Sequence, residues 1–232
     1  MTRMISRDDP RMARPVASGN YALLCIIVTM TIFIVLLFFE DTQQSALLQE
    51  GGALETATAL IYLVAIALLL PAGADVWPFI VLLLAFCMRE FDMDKLLFTE
   101  GLFKSRQYIG GGAPLVERLL SGALLLGLII TGILATMRSI RGLARRDSHF
   151  RGVTLCVGLG VVLAITSKMA DGLGRKLAPF GVELPGWVDL LALTYEEVAE
   201  FGMAFSFTVA AFLFMRLRKR GAANSDVDEA RG

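Results

Sequence analysis

The chain has 232 residues, 56% of them hydrophobic, with a mean hydropathy of +0.65 and its apolar residues gathered into long blocks, which excludes an ordinary soluble domain and points to a polytopic membrane protein. Formal net charge is zero, 22 Lys and Arg against 22 Asp and Glu, but the charges are segregated along the chain, so partners follow from their placement. One histidine, His149, in a basic loop, and three cysteines without paired spacing exclude haem ligation, a Ser-His pair and a His-based zinc site; an oxygen-preferring cation such as Mg²⁺ or Ca²⁺ stays compatible.

Residues 1–19 carry Arg3, Arg7, Arg11 and Arg14 among prolines and aspartates and read as a flexible cytoplasmic lead. The apolar block Tyr21–Phe39 exceeds the roughly 7–15 residues of a signal-peptide core, and Glu40-Asp41-Thr42-Gln43-Gln44 offers no small-x-small cleavage site, so a retained first span is expected. A second block, Ala53–Leu70, stops at Pro71-Ala72-Gly73; a third opens at Trp77-Pro78, where an interfacial Trp and an N-terminal Pro both fit. Glu55 stands near the start of the second, at a helix end that is either solvated or turned into the bundle.

The third block runs out of hydrophobicity early, at Phe86-Cys87-Met88-Arg89-Glu90-Phe91-Asp92-Met93-Asp94-Lys95. Ionisable groups within or just leaving a span are costly enough to suggest function. The segment Phe98–Tyr108 mixes charges with Leu102 and Phe103, and is expected to lie on the membrane surface with Gly110-Gly111-Gly112 as its hinge.

A fourth span, Pro114–Met137, carries Ala123, Gly127, Thr131 and Ala135 at four-residue intervals, a small-residue stripe expected to pack against a neighbouring helix. It exits into the most basic loop of the chain, Arg138–Arg151. A fifth span, Val153–Met169, ends in Lys168-Met169-Ala170-Asp171-Gly172-Leu173-Gly174-Arg175-Lys176, followed by a Pro/Gly-rich turn. The sixth, Trp187–Met215, carries Asp189, Glu196, Glu197 and Glu200 in its first half and is capped by Arg216, Arg218, Lys219 and Arg220. Residues 221–232 read as a disordered tail.

The expected architecture is all-α: a transmembrane bundle of about six helices over residues 20–220, between the lead at 1–19 and the tail at 221–232. The basic lead, the Arg138–Arg151 loop and the C-terminal cap fall on one face, whereas the Glu40–Gly52 loop has no Lys or Arg, which places both termini in the cytoplasm of a bacterial inner membrane. In that topology the ionisable residues of every span gather at the periplasmic end. Helical spacing gives each cluster a shared face: Glu90 with Asp94, Lys168 with Asp171 and Arg175, and Glu196 and Glu197 with Glu200.

Three readings of this cluster follow. An enzyme acting on a lipid or lipid-linked, phosphate-bearing substrate at the outer leaflet would use Glu90, Asp94, Asp171 and Glu197 as reactive carboxylates and Arg89, Lys95, Lys104, Arg106, Lys168, Arg175 and Glu200 as substrate contacts. A transporter would move protons or cations through the same carboxylates, although the cytoplasmic halves of the spans are almost purely apolar. An accessory protein would use them as an ion-pair network. Membrane lipid and a membrane-protein partner are the expected partners, and nucleic acid is not.

Membrane hydrolases of the alkaline ceramidase and progestin-receptor-like superfamily also gather polar residues at one bundle end, but use several His that this chain lacks. Together, Arg89-Glu90-x-Asp92-x-Asp94-Lys95, Phe103-Lys104-Ser105-Arg106-x-Tyr108, Asp171-x-x-x-Arg175-Lys176-Leu177 and Glu196-Glu197-x-x-Glu200 resemble a group of bacterial polytopic inner-membrane proteins. The resemblance covers most of the chain and brings no activity with it.

Overall fold

The computed structural model describes residues 19–49, 51–109, 112–144 and 150–229, without the side chains of Gly19, Asp41, Ser45, Asp94, 140–144 and 221–229. Among these residues the fold is all-helical, with no strand. Its helices are α1 (Gly19–Leu36), α2 (Asp41–Leu48), α3 (Ala53–Leu69), α4 (Trp77–Glu90), α5 (Met93–Leu97), α6 (Leu115–Ala144), α7 (Arg151–Ala170), α8 (Leu173–Leu177) and α9 (Gly186–Glu229). Four helical stretches are long and apolar enough to cross a membrane: Thr42–Glu90, Leu115–Ser139, Arg151–Ala170 and Gly186–Arg220; Asn20–Leu36 is a shorter apolar helix. This is the helix composition of a membrane protein. The 49-residue stretch is broken twice, after Leu48 and over Leu70–Val76.

The expected turn at Pro71-Ala72-Gly73 is a short 3-10 segment in which Gly73 adopts φ 71°, a conformation a side chain would resist, and Pro78 sits in the first turn of α4. Two cations pin this turn from elsewhere in the bundle. Arg138 donates to the Asp75 carbonyl at 2.7 Å and lies over the Trp77 ring, while Arg218 donates to the Ala72 carbonyl at 2.5 Å. Arg216 also reaches the Tyr21 hydroxyl at 3.3 Å. The ends of α1, α3, α6 and α9 that carry these groups therefore share one end of the bundle.

Helix α9 is the hub. It packs against α1, α2, α3, α7 and α8 and is far more buried along its apolar length than α6. Its small residues allow this: a Cβ on Gly202 would lie 2.6 Å from Thr29 Oγ1 of α1, and one on Gly160 of α7 would lie 2.5 Å from the Phe207 ring of α9. The Thr208 hydroxyl reaches across to the Ile61 carbonyl of α3 at 3.1 Å. Around this axis the core comprises Ala59, Tyr62, Ala65, Met203 and Ala204, with a second cluster at Cys25, Cys156 and Ala210.

Three expectations change. The Glu40–Gly52 loop contains α2, because Leu48 buries against Leu36 and Val198, and Gln44 donates to Thr194 Oγ1 at 2.6 Å. Helix α9 continues to Glu229, through residues 221–229, which the sequence reads as a tail. The α6 stripe splits: Thr131 and Ala135 are buried, but Ala123 and Gly127 are exposed, since α6 meets mainly α4 and a 30-residue helix turns away from so narrow a contact. Phe98–Tyr108 forms a folded loop with a short 3-10 turn at Ser105–Gln107. The lead at residues 1–18, His149 and the Gly110-Gly111 part of the hinge lie outside the described residues.

Candidate functional site

Glu200 is the centre of the polar end. Its carboxylate is buried, and one oxygen, Oε1, takes three donors from two other helices: the Arg89 guanidinium of α4 at 2.6 Å, the Ser167 hydroxyl at 3.0 Å and the Lys168 ammonium at 3.3 Å, both of α7. The helices bring them there by periodicity. Arg89 lies in the last turn of α4 and Ser167-Lys168 in the last turn of α7, whereas Glu200 lies fifteen residues into α9, so the longer helix runs past the ends of the other two.

Lys168 carries the network outward. Its ammonium is 3.3 Å from Asp171 and 3.8 Å from Glu196, while Arg175 is 3.7 Å from Asp171. Lys176 closes the α7–α8 corner by donating to the Lys168 carbonyl at 2.8 Å. Beside this corner opens a cavity of about 260 Å³ lined by residues of α8 and α9 that include Gly174, Arg175, Asp189 and Glu196. A chain of charges thus leads from the cavity wall at Glu196, through Lys168, to buried Glu200 and Arg89.

Glu90 stands apart from this pairing. It is 6% exposed, and its Oε1 is buried with no hydrogen-bond partner, although it lies in the electrostatic field of Glu200, Arg89, Glu197 and Glu55. Burying a carboxyl oxygen without a donor costs folding energy, which makes this atom the anomaly of the site.

Beneath the network lies an aromatic floor. Tyr62 stacks on Phe86 with centroids 5.8 Å apart, and Phe86 stacks on Phe207 at 6.4 Å, joining α3, α4 and α9. The Tyr62 hydroxyl is fully buried and, like Glu90 Oε1, without a partner. At about 1.5 Å per residue, Glu200 is ~27 Å along α9 from Arg218, and Lys168 ~26 Å along α7 from Arg151, close to one hydrocarbon thickness. The charges therefore sit at one edge of the apolar belt, not in its middle.

The expected residues divide accordingly. Glu90, Glu197, Glu200, Arg89 and Lys168 come together, with Asp171 at the rim and Arg175, largely exposed, outside it. Lys95 pairs locally with Asp92 at 2.8 Å, and Lys104 and Arg106 are exposed on the Phe98–Tyr108 loop, outside the carboxylate cluster. The Asp94 side chain lies outside the described residues. Sequence reasoning missed Ser167, whose only signal was its place before Lys168 at the end of an apolar run, and Tyr62, a phenol within one. Glu196 was grouped with Glu200 but not named as a site residue, yet it forms the wall of the cavity. Among the described residues, no group of three or more His, Cys, Asp or Glu is placed to hold a metal ion.

The loop that carries Lys104 and Arg106 is built on Glu117. Thr99 gives Glu117 both its backbone N–H and its hydroxyl, the latter at 2.9 Å, and Gln107 Nε2 donates to the same carboxylate at 3.2 Å. Gln107 also reaches Ser121 at 3.4 Å and accepts the Glu100 N–H at 3.0 Å.

No protein-family model, no curated protein and no solved structure matches the chain.

Proposed function

We propose that the chain is a six-span protein of a bacterial inner membrane, with α1, α3, α4, α6, α7 and α9 as the spans, both termini cytoplasmic, and the Glu200 network facing the periplasm. Arg138 and Arg216–Arg220 at one end, against acid-rich helix ends at the other, support that orientation, as do Arg3, Arg7, Arg11 and Arg14 ahead of the first span in the sequence. In this reading the polar end works on a lipid or lipid-linked substrate of the outer leaflet, which enters by the α8–α9 cavity. Glu90 and Glu197 are its reactive carboxylates, and Lys168 is the link between cavity and core.

Glu90 carries the proposal. Structural ion pairs use up both partners, as Arg89 and Glu200 do; a buried carboxyl oxygen left without a donor is a cost with no structural return, and such costs collect at working sites. The charge balance further favours a substrate that brings a cationic group. Glu90, Glu196, Glu197, Glu200 and Asp171 outnumber Arg89, Lys168 and Arg175, and each of these three cations already has a carboxylate partner.

A second reading, an accessory protein with a structural ion-pair lid, is favoured by the threefold satisfaction of Glu200 Oε1. Transport is disfavoured, because the stacked Tyr62, Phe86 and Phe207 rings close the way inward. The test is lipid-dependent thermal stabilisation of purified protein, comparing phosphatidylethanolamine with phosphatidylglycerol. The site reading expects stabilisation by the amine lipid that Glu90→Gln abolishes without lowering stability in its absence. Equal response of Glu90→Gln and the parent protein would leave the structural reading in place.

A further inference from the structure

The loop Leu102–Ile109 is built like a docking finger. Its two inward residues, Leu102 and Gln107, are buried, and Gln107 ties it to Glu117 and Ser121 of α6. Its ends are joined by the Tyr108 hydroxyl, which donates to the Leu102 carbonyl at 2.6 Å, and its backbone turns on the Tyr108 and Ile109 N–H bonds to the Ser105 carbonyl, each 3.0 Å. What this frame presents outward is Phe103, Lys104, Arg106 and Ile109, all exposed: two large apolar side chains and two cations within seven residues that hold no acid. A rigid loop with exposed apolar and basic side chains is costly in water and favourable at a lipid headgroup layer.

Its height along the bundle is fixed by its anchor. Glu117 lies in the first turn of α6, where Leu115, Val116, Leu119 and Leu120 are 72%, 68%, 66% and 62% exposed. These mark where the lipid-facing apolar surface of α6 begins, so the loop hangs at the boundary between acyl chains and headgroups. We infer that Leu102–Ile109 is an anionic-phospholipid site of the adjacent leaflet. Phe103 and Ile109 enter the upper acyl region, and Lys104 and Arg106 hold the headgroup phosphate. The site is separate from the carboxylate cluster and stands whether or not that cluster is catalytic.

The test uses the full chain in nanodiscs of phosphatidylcholine alone or mixed with phosphatidylglycerol. Cys25, Cys87 and Cys156 are buried, so a polarity-sensitive maleimide fluorophore directs itself to the new thiol of Phe103→Cys. Its emission is expected to shift to the blue on adding phosphatidylglycerol, and the shift to be reversed by Lys104→Ala with Arg106→Ala and by high salt. In native mass spectrometry of the unlabelled chain, retention of phosphatidylglycerol over phosphatidylcholine should fall roughly five-fold for each cation removed. Emission of a water-exposed probe in both membranes, or equal retention of both lipids by the parent chain, would overturn the proposal. Neither readout involves Glu90, so failure here is distinguishable from failure of the function proposed above.

Discussion

Arg89 and Glu200 meet at 2.6 Å across the α4–α9 interface, 111 residues apart in the chain, and the carboxylate they share with Ser167 and Lys168 joins three helices at one point. Leaving a buried charge unpaired is far costlier than removing the pair. Glu200→Leu alone, which strips Arg89 of its carboxylate, should therefore lower unfolding stability in detergent by about 3 kcal/mol, near the lower end of the range for buried pairs because the Arg89 side chain is 29% exposed, whereas Arg89→Met, which leaves Glu200 with Ser167 and Lys168, should cost less. The double variant should recover most of the loss. Additive losses in a double-mutant cycle would show that the two groups do not act as a pair.

Helix packing gives a sharper contrast. Gly202→Ala and Gly160→Val each push a side chain into a neighbour, Thr29 or Phe207, and should cost about 1–3 kcal/mol by overpacking. Gly127→Ala meets nothing within 4 Å on a helix, and should be neutral or stabilising by up to ~1 kcal/mol. Thermal unfolding of the three variants checks the ranking, and a loss at Gly127 as large as at Gly202 would contradict it.

Tyr62→Phe removes a buried hydroxyl that has no partner while keeping the ring stacked on Phe86. The expected outcome is unchanged or higher stability, by up to ~1 kcal/mol, since the lost group was a desolvation cost. Thermal unfolding that showed a clear loss would mean that the hydroxyl is bonded, with the nearby Glu90 carboxyl the first candidate.

Glu117→Ala should release the docking loop. It deletes the acceptor of Thr99 and Gln107, and hydrogen exchange over residues 99–109 is expected to rise about ten-fold while α7 and α9 stay protected. Unchanged exchange would show that Glu117 is not the anchor.

Much of this was legible in the residues, and the exceptions have physical causes. The long blocks placed α3, α4, α6 and α7 to within a few residues at the ends facing the polar cluster, because hydrophobic length is a strong signal. Helix α2 was missed because Thr42-Gln43-Gln44 looks polar until Leu48 is seen to bury against α1 and α9. The charge clusters pointed to the convergence at Glu200, since four-residue spacing fixes a helix face. They did not show which cations would be used up. Lys95 and Asp92 lie close enough in sequence to pair locally, and Lys104 and Arg106 went to a loop whose fold depends on Gln107, a residue without a pattern of its own. Nor does periodicity reveal that α9 outruns its neighbours, which is why Glu200, at mid-helix, meets the ends of α4 and α7.

The central claim is that the Glu200 network and its cavity face the periplasm while the basic end faces the cytoplasm. Single Arg175→Cys and Arg220→Cys substitutions, both at exposed positions, test it with a maleimide that cannot cross the inner membrane, the buried native cysteines serving as an internal blank. Labelling of the Arg175→Cys protein in intact cells, and of the Arg220→Cys protein only after lysis, is the predicted result. The reverse pattern would contradict the account.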